Sequence, residues 1–286
     1  MKHSNHSTAW SALCILLSVA CNSGRHANHP TVTPYPLEKD PATVEQLAVP
    51  LPVTLPHHTK AGTGNYAYPL SLDEVKADLR TEVCGIDVSH WNGNINWAAV
   101  SLDNISFVYM KATEGVSYID PSFNSNWSAI KNTRLVRGAY LYFLPALGNE
   151  KQVLQAQNFI STVKRLEKGD LPPMVDVEED PEISVALFQY RLQIVEQELE
   201  TYFRVSPLIY TSKALYKKYL TPNNTFQRNE IWIADYSYQR PTLCDKRNLR
   251  IWQFTDKAHI RGISGEVDMD IFYTTAKDLD AIAIRE

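Results

Sequence analysis

Positive charge is scarce in this chain: Lys and Arg total 28 against 32 Asp and Glu, a net charge of -4 over 286 residues. Binding a phosphate backbone needs clustered positive charge, so this balance excludes nucleic acid as a partner. No apolar run is long enough to cross a bilayer as a permanent helix, which takes roughly 20 residues; the stretch at residues 9–20 falls short. A Gly-rich phosphate loop, a Ser, His, Asp set and dense metal-ligand spacing are also missing, so no cofactor or metal is expected. His26, His29, His57 and His58 come without the Cys or acidic cluster that a metal centre uses. The chain does have an ordinary globular composition, 44% hydrophobic, 10% aromatic and 21% charged, enough to build a real core.

The organisation is read from the N-terminus. A polar start at Met1 and Lys2, followed by the short apolar stretch, has the pattern of a signal peptide over residues 1–21. Its end, Leu17-Ser18-Val19-Ala20-Cys21, resembles a bacterial lipobox, which implies lipidation of Cys21. The expected location is the cell envelope, through a membrane lipid anchor, or the exterior if the lipobox is unused. Residues 22–80 hold eight of the 16 prolines and no sustained apolar period, and read as an extended linker. Residues 81–286 form the candidate catalytic domain. Its two cysteines, Cys84 and Cys244, are a candidate disulfide outside the cytoplasm.

From Val83 onward, short β-branched and aromatic runs alternate with amphipathic segments, the pattern of parallel strands joined by helices. Strands are expected at 83–88, 105–111, 136–143, 173–178, 206–211, 230–235, 250–254 and about 263–268. Helices are expected at 121–131, 149–167 and 183–203, the last with Leu187, Tyr190, Ile194 and Leu199 on one face. The last third is too polar and turn-rich for full crossover helices. The prediction is an α/β fold, an irregular TIM-like barrel with a poorly helical end.

In such barrels the site lies where strands deliver their C-terminal ends. Asp87 ends the first expected strand, Asp176 and Glu178 the fourth, Asp235 the sixth and Asp268 the eighth. The first and eighth strands of a closed barrel are neighbours, which puts Asp87 beside Asp268. Asp176 and Glu178, two apart, share a strand face. Burying carboxylates in an apolar strand is costly, and their mutual repulsion keeps at least one protonated. Glycoside hydrolysis needs such a proton-bearing acid, here Glu178, and a second group to stabilise positive charge. Lys111, ending an apolar run, is expected to pair with these acids. Tyr142, Tyr236 and Trp252 lie near strand ends, where aromatic faces either stack on sugars or pack in the core.

The segments Gly85-Ile-Asp87-Val-Ser89-His90-Trp91-Asn-Gly93-Asn-Ile95-Asn-Trp97, Phe107 to Glu114, Asp176-Val-Glu178, Trp232-Ile-Ala234-Asp235-Tyr236, Trp252-Gln253 and Gly262-Ile-Ser-Gly265-Glu-Val-Asp268 together resemble the glycoside hydrolase family 25 lysozymes. That resemblance implies five strand-helix units followed by three strands. It also implies cleavage of the β-1,4 bond after N-acetylmuramic acid in peptidoglycan glycan strands. The family's acid falls on Glu178 and its aspartates on Asp87, Asp176 and Asp268, with Asp176 suited to handling a 2-acetamido group. By the same resemblance, Leu141 stands where His is frequent, altering a cleft wall, and Asp270 where Asn is usual, adding charge that raises a neighbour's pKa. Two rival readings are a non-catalytic glycan-binding lipoprotein and a chitinase-like hydrolase.

Overall fold

The computed structural model describes residues 83–284 apart from 238, 239, 246, 248, 274–278, 280 and 281. The expected signal peptide, Cys21 and the proline-rich linker lie outside the described residues.

Five strand-helix units open the domain. They are β1 (Val83–Val88) with α1 (Trp97–Val100), and β2 (Phe107–Glu114) with a two-residue strand β3 (Tyr118–Ile119) and α2 (Phe123–Ala129). Next come β4 (Val136–Tyr142) with α3 (Asn149–Val163), β5 (Met174–Val177) with α4 (Val185–Phe203), and β6 (Leu208–Ser212) with α5 (Lys213–Leu215). The strands β7 (Ile231–Ala234), β8 (Leu249–Ala258) and β9 (Val267–Phe272) complete the sheet. Its order is β1-β9-β8-β7-β6-β5-β4-β2, and pairing of β1 with β2 closes it into a barrel of eight strands, with β3 an added edge. The expected barrel class is therefore the observed one.

The last strand differs from its expected form. It spans Val267–Phe272 rather than 263–268, and it pairs antiparallel with both β8 and β1. Only residues 259–266 separate it from β8. A parallel return takes a crossover of a dozen or more residues, so this short connection forces the chain to double back.

Side chains alternate between two cores. Phe107 and Tyr109 of β2, Tyr140 of β4, Met174 of β5, Leu208 and Tyr210 of β6, Trp232 of β7, Ile251 of β8 and Phe272 of β9 fill the barrel. The intervening residues, among them Ile86, Val108, Val175, Ile209 and Ile233, pack against helix residues such as Phe159, Phe188 and Leu192. This period of two is what lets one strand serve both layers. Gly85 and Gly138 make room for the inner rings: a Cβ on Gly85 would lie 2.2 Å from Phe107, and one on Gly138 2.4 Å from Tyr109.

Helix α4 begins where the Ser184 hydroxyl accepts from the Leu187 amide at 3.2 Å, a side-chain N-cap. Its buried stripe is Phe188, Leu192, Val195 and Leu199, rotated from the expected face, and Tyr190 is exposed. The candidate disulfide is not formed: Cys84 is buried on β1 while Cys244 is exposed in the connection after β7.

Candidate active site

β1 brings Asp87 to the mouth at its C-terminal end, and antiparallel β9 brings Asp268 there near its start, directly paired with Asp87. β5 supplies Asp176, and Glu178 follows the last residue of that strand. All four carboxylates line one pocket of about 280 Å³, together with Lys111, Tyr142 and Tyr236. Seven of the nine residues that the sequence placed at the strand ends thus converge.

Trp252 does not join them. It is buried in the outer layer, with its ring 5.7 Å from Phe254 and its Nε1–H donating to the Asp235 carbonyl at 2.7 Å. The alternation of β8 explains this, because Gln253 faces the barrel axis and its neighbour must face the helices. Asp235 pairs with Lys213 at 2.8 Å and is absent from the pocket lining. Leu141 is fully buried in the same outer layer and forms no wall of the cleft.

Sequence reasoning overlooked the residue that ties the pocket together. Gln253 Nε2 donates to Asp87 Oδ2 at 2.8 Å, while its Oε1 accepts from Tyr210 and Tyr236 hydroxyls, each at 2.8 Å. A glutamine between Trp252 and Phe254 in an apolar run was the available signal; in the fold it is only 2% exposed. Ser89, Trp91, Tyr140 and Tyr210 also line the pocket.

Burial is the main force on the four acids, since it penalises the charged form. It pushes Asp87 well above the usual carboxylate range, reinforced by Asp268 and Glu178 and opposed by the Gln253 hydrogen bond. Asp176 is likewise held high by burial, then by Glu178 and Asp87, with Lys111 opposing. Burial also raises Glu178, against the lowering influence of Tyr210 and Lys111. Asp268 is pushed up to about 7 by burial and by the charges of Asp256 and Glu178. Lys111 takes Glu114 as its direct partner at 2.7 Å and stands 4.6 Å from the Tyr142 ring centre, so it acts on the catalytic candidates through space. One oxygen of Asp176, Oδ1, is buried with no hydrogen-bond partner among the described residues.

Asp270 lies one inward step deeper on β9, fully buried, accepting from Trp232 Nε1 at 3.1 Å. Burial first, then the charges of Asp87 and Asp268, hold Asp270 itself well above the carboxylate range.

A closed barrel whose C-terminal mouth gathers carboxyls of raised proton affinity has the layout of a glycoside hydrolase. Residues 86–263 match the family described as glycosyl hydrolases family 25, and the chain belongs to that family. The matched span includes Asp87, Asp176 and Glu178; Asp268 joins them through the pairing of β9. The chain is 33% identical over 222 residues to the uncharacterized protein YegX of Escherichia coli K12, covering 76% of this chain and 79% of that one. It is 30% identical over 211 residues to Lysozyme M1 of Streptomyces globisporus, covering 70% and 71%. The bacterial lysozyme structure from Streptomyces coelicolor superposes with a TM-score of 0.66 at 29% identity, covering 71% of this chain and 97% of that chain.

Proposed function

We propose that this chain is a lysozyme that hydrolyses peptidoglycan, cutting the β-1,4 bond between N-acetylmuramic acid and N-acetylglucosamine. The observation that carries the reading is the convergence of Asp87, Asp176, Glu178 and Asp268 on one pocket in a family 25 barrel. Glu178 is the general acid. Its raised proton affinity keeps a proton available for the leaving oxygen, and it stands at the edge between this pocket and an adjoining one of about 390 Å³. Asp176, which lines the pocket two residues before Glu178, takes the 2-acetamido group of the sugar undergoing cleavage. Asp87 and Asp268 supply negative charge beneath the ring as positive charge develops there. Lysozyme M1 among the relatives supports peptidoglycan over chitin as the substrate.

The signal-like N-terminus, Cys21 and the proline-rich linker support export and a lipid anchor that holds the enzyme at the envelope. Mass spectrometry of the mature N-terminus tests this, and an unmodified terminus at any other residue counts against it. The activity test compares reducing ends released from purified peptidoglycan and from chitin. Glu178→Gln keeps the shape of the side chain without the proton, so a folded variant should lose about 10²-fold or more of the rate. Near-normal cleavage by that variant removes Glu178 from the role. Preference for chitin favours the chitinase-like reading, and binding without release favours the non-catalytic one.

A further inference from the structure

Trp91 is 84% exposed and lines the carboxylate pocket. A single exposed apolar residue is ordinary on a protein surface. What sets this one apart is how firmly its segment is held. The Ser89 side chain caps the turn His90–Asn92, and the Asn92 side chain caps it in return by accepting from the Ser89 amide at 2.9 Å. The following Gly93 adopts φ 64, a left-handed conformation that suits glycine. His90 is tied to buried Asp120 by its amide at 3.0 Å and by Nδ1 at 2.9 Å. The His90 ring backs the indole, with centroids 4.4 Å apart. An indole is thus presented to solvent on a braced turn, at low ordering cost to a ligand that covers it.

We propose that Trp91 is a sugar-stacking platform that holds the glycan residue next to the one undergoing cleavage, on its non-reducing side. This rests on the peptidoglycan-hydrolase reading and adds a specificity determinant to it. The argument for the side is electrostatic. The pocket that Trp91 lines contains Asp87, Asp176 and Asp268, so it takes the ring on which positive charge develops. The adjoining pocket is lined by Glu178, Tyr210, Ser212, Ala234 and Tyr236 and lacks those three aspartates, so the leaving sugar departs there beside the acid. Trp91 lines the carboxylate pocket and not the adjoining one, so it is on the side of the ring being cleaved rather than of the leaving sugar. The indole covers the apolar face of the next pyranose, and the benefit is binding energy gained by strands with at least two sugars before the scissile bond.

The test uses peptide-free peptidoglycan strands of two and four disaccharide units. Each places two or more sugars before a scissile bond. Trp91→Ala, a surface change, should raise KM about tenfold for both strands, the scale expected when a well-placed aromatic anchor is truncated. Its kcat should stay within about twofold, and Trp91→Phe should restore most of the affinity. In the Glu178→Gln background, addition of the four-unit strand should change tryptophan fluorescence, and Trp91→Phe should remove most of that change. Unaltered KM in Trp91→Ala, or a loss confined to kcat, overturns the platform while leaving the hydrolase reading intact. A wild-type protein that neither binds nor cleaves either strand overturns both.

Discussion

Asp87 and Asp268 face each other across the antiparallel pairing of β1 with β9, at the mouth of the barrel. Each is destabilised as an anion by its surroundings, and the charge of Asp268 further raises Asp87. Two facing carboxyls of this kind titrate as a unit.

Stability should therefore fall as pH rises. In the fold Asp268 holds its proton up to about pH 7, whereas an unfolded Asp releases it near 3.9. Unfolding between those values releases a proton, so the stabilisation is full below about pH 4 and lost as pH climbs through 7. Asp268→Asn removes that dependence and relieves Asp87 of a neighbouring charge. Melting temperatures of wild type and variant, taken from pH 4 to pH 8, should show an advantage for Asp268→Asn that grows with pH. Parallel curves would mean that Asp268 ionises normally in the fold.

The place of Asp268 in the site was legible in the sequence, although for a partly mistaken reason. Reading it at the end of a parallel eighth strand put it at the mouth beside Asp87. The strand instead begins at Val267 and runs backwards, which brings the start of β9 to the same rim. The two departures, in boundary and in direction, cancel. Asp87, Asp176 and Glu178 were legible because a carboxylate in an apolar strand stands out against its neighbours. Trp252 was not, because an aromatic at a strand end serves the core or the cleft equally well until the phase of alternation is known. Gln253 fixes that phase, and its pairing with Asp87 across 166 positions of sequence has no local signature.

Asp176 should separate binding from chemistry. Asp176 lines the pocket, and its Oδ1 is buried without a hydrogen-bond partner among the described residues. Asp176→Asn changes the side chain's charge with little change of shape. If it orients the acetamido group in the transition state, kcat should fall by about 10²-fold while KM changes little. Steady-state kinetics on soluble glycan strands decide this, and a rise in KM at constant kcat would make Asp176 a ground-state binding residue.

The barrel interior makes a packing prediction. A methyl group on Gly85 would meet the Phe107 ring at 2.2 Å, and that ring is fully buried against Tyr109 and Phe272. Gly85→Ala should cost about 1 to 3 kcal/mol through overpacking. Adding Phe107→Leu should recover part of the loss by vacating the space, which denaturant melts of the single and double variants can read as non-additivity. A double variant whose destabilisation equals the sum of the singles would show that the clash is relieved elsewhere.

Gln253 joins three strands' worth of active-site groups through one side chain: Asp87 of β1, Tyr210 of β6, and Tyr236 just past β7. Its amide donation lowers the proton affinity of Asp87, opposing burial. Gln253→Met preserves bulk but deletes both the donor and the acceptor. Asp87 should then hold its proton to still higher pH, and the Tyr210 hydroxyl should lose its 2.8 Å acceptor in a buried setting. The expected result is a fall in kcat/KM at neutral pH that lessens as pH rises, because the ionised form of Asp87 is recovered only in more alkaline solution. In an Asp87→Asn background there is no proton to retain, so Gln253→Met should leave the shape of the pH profile unchanged there. An equal displacement of the profile in both backgrounds would show that Gln253 acts on the pocket by some route other than Asp87.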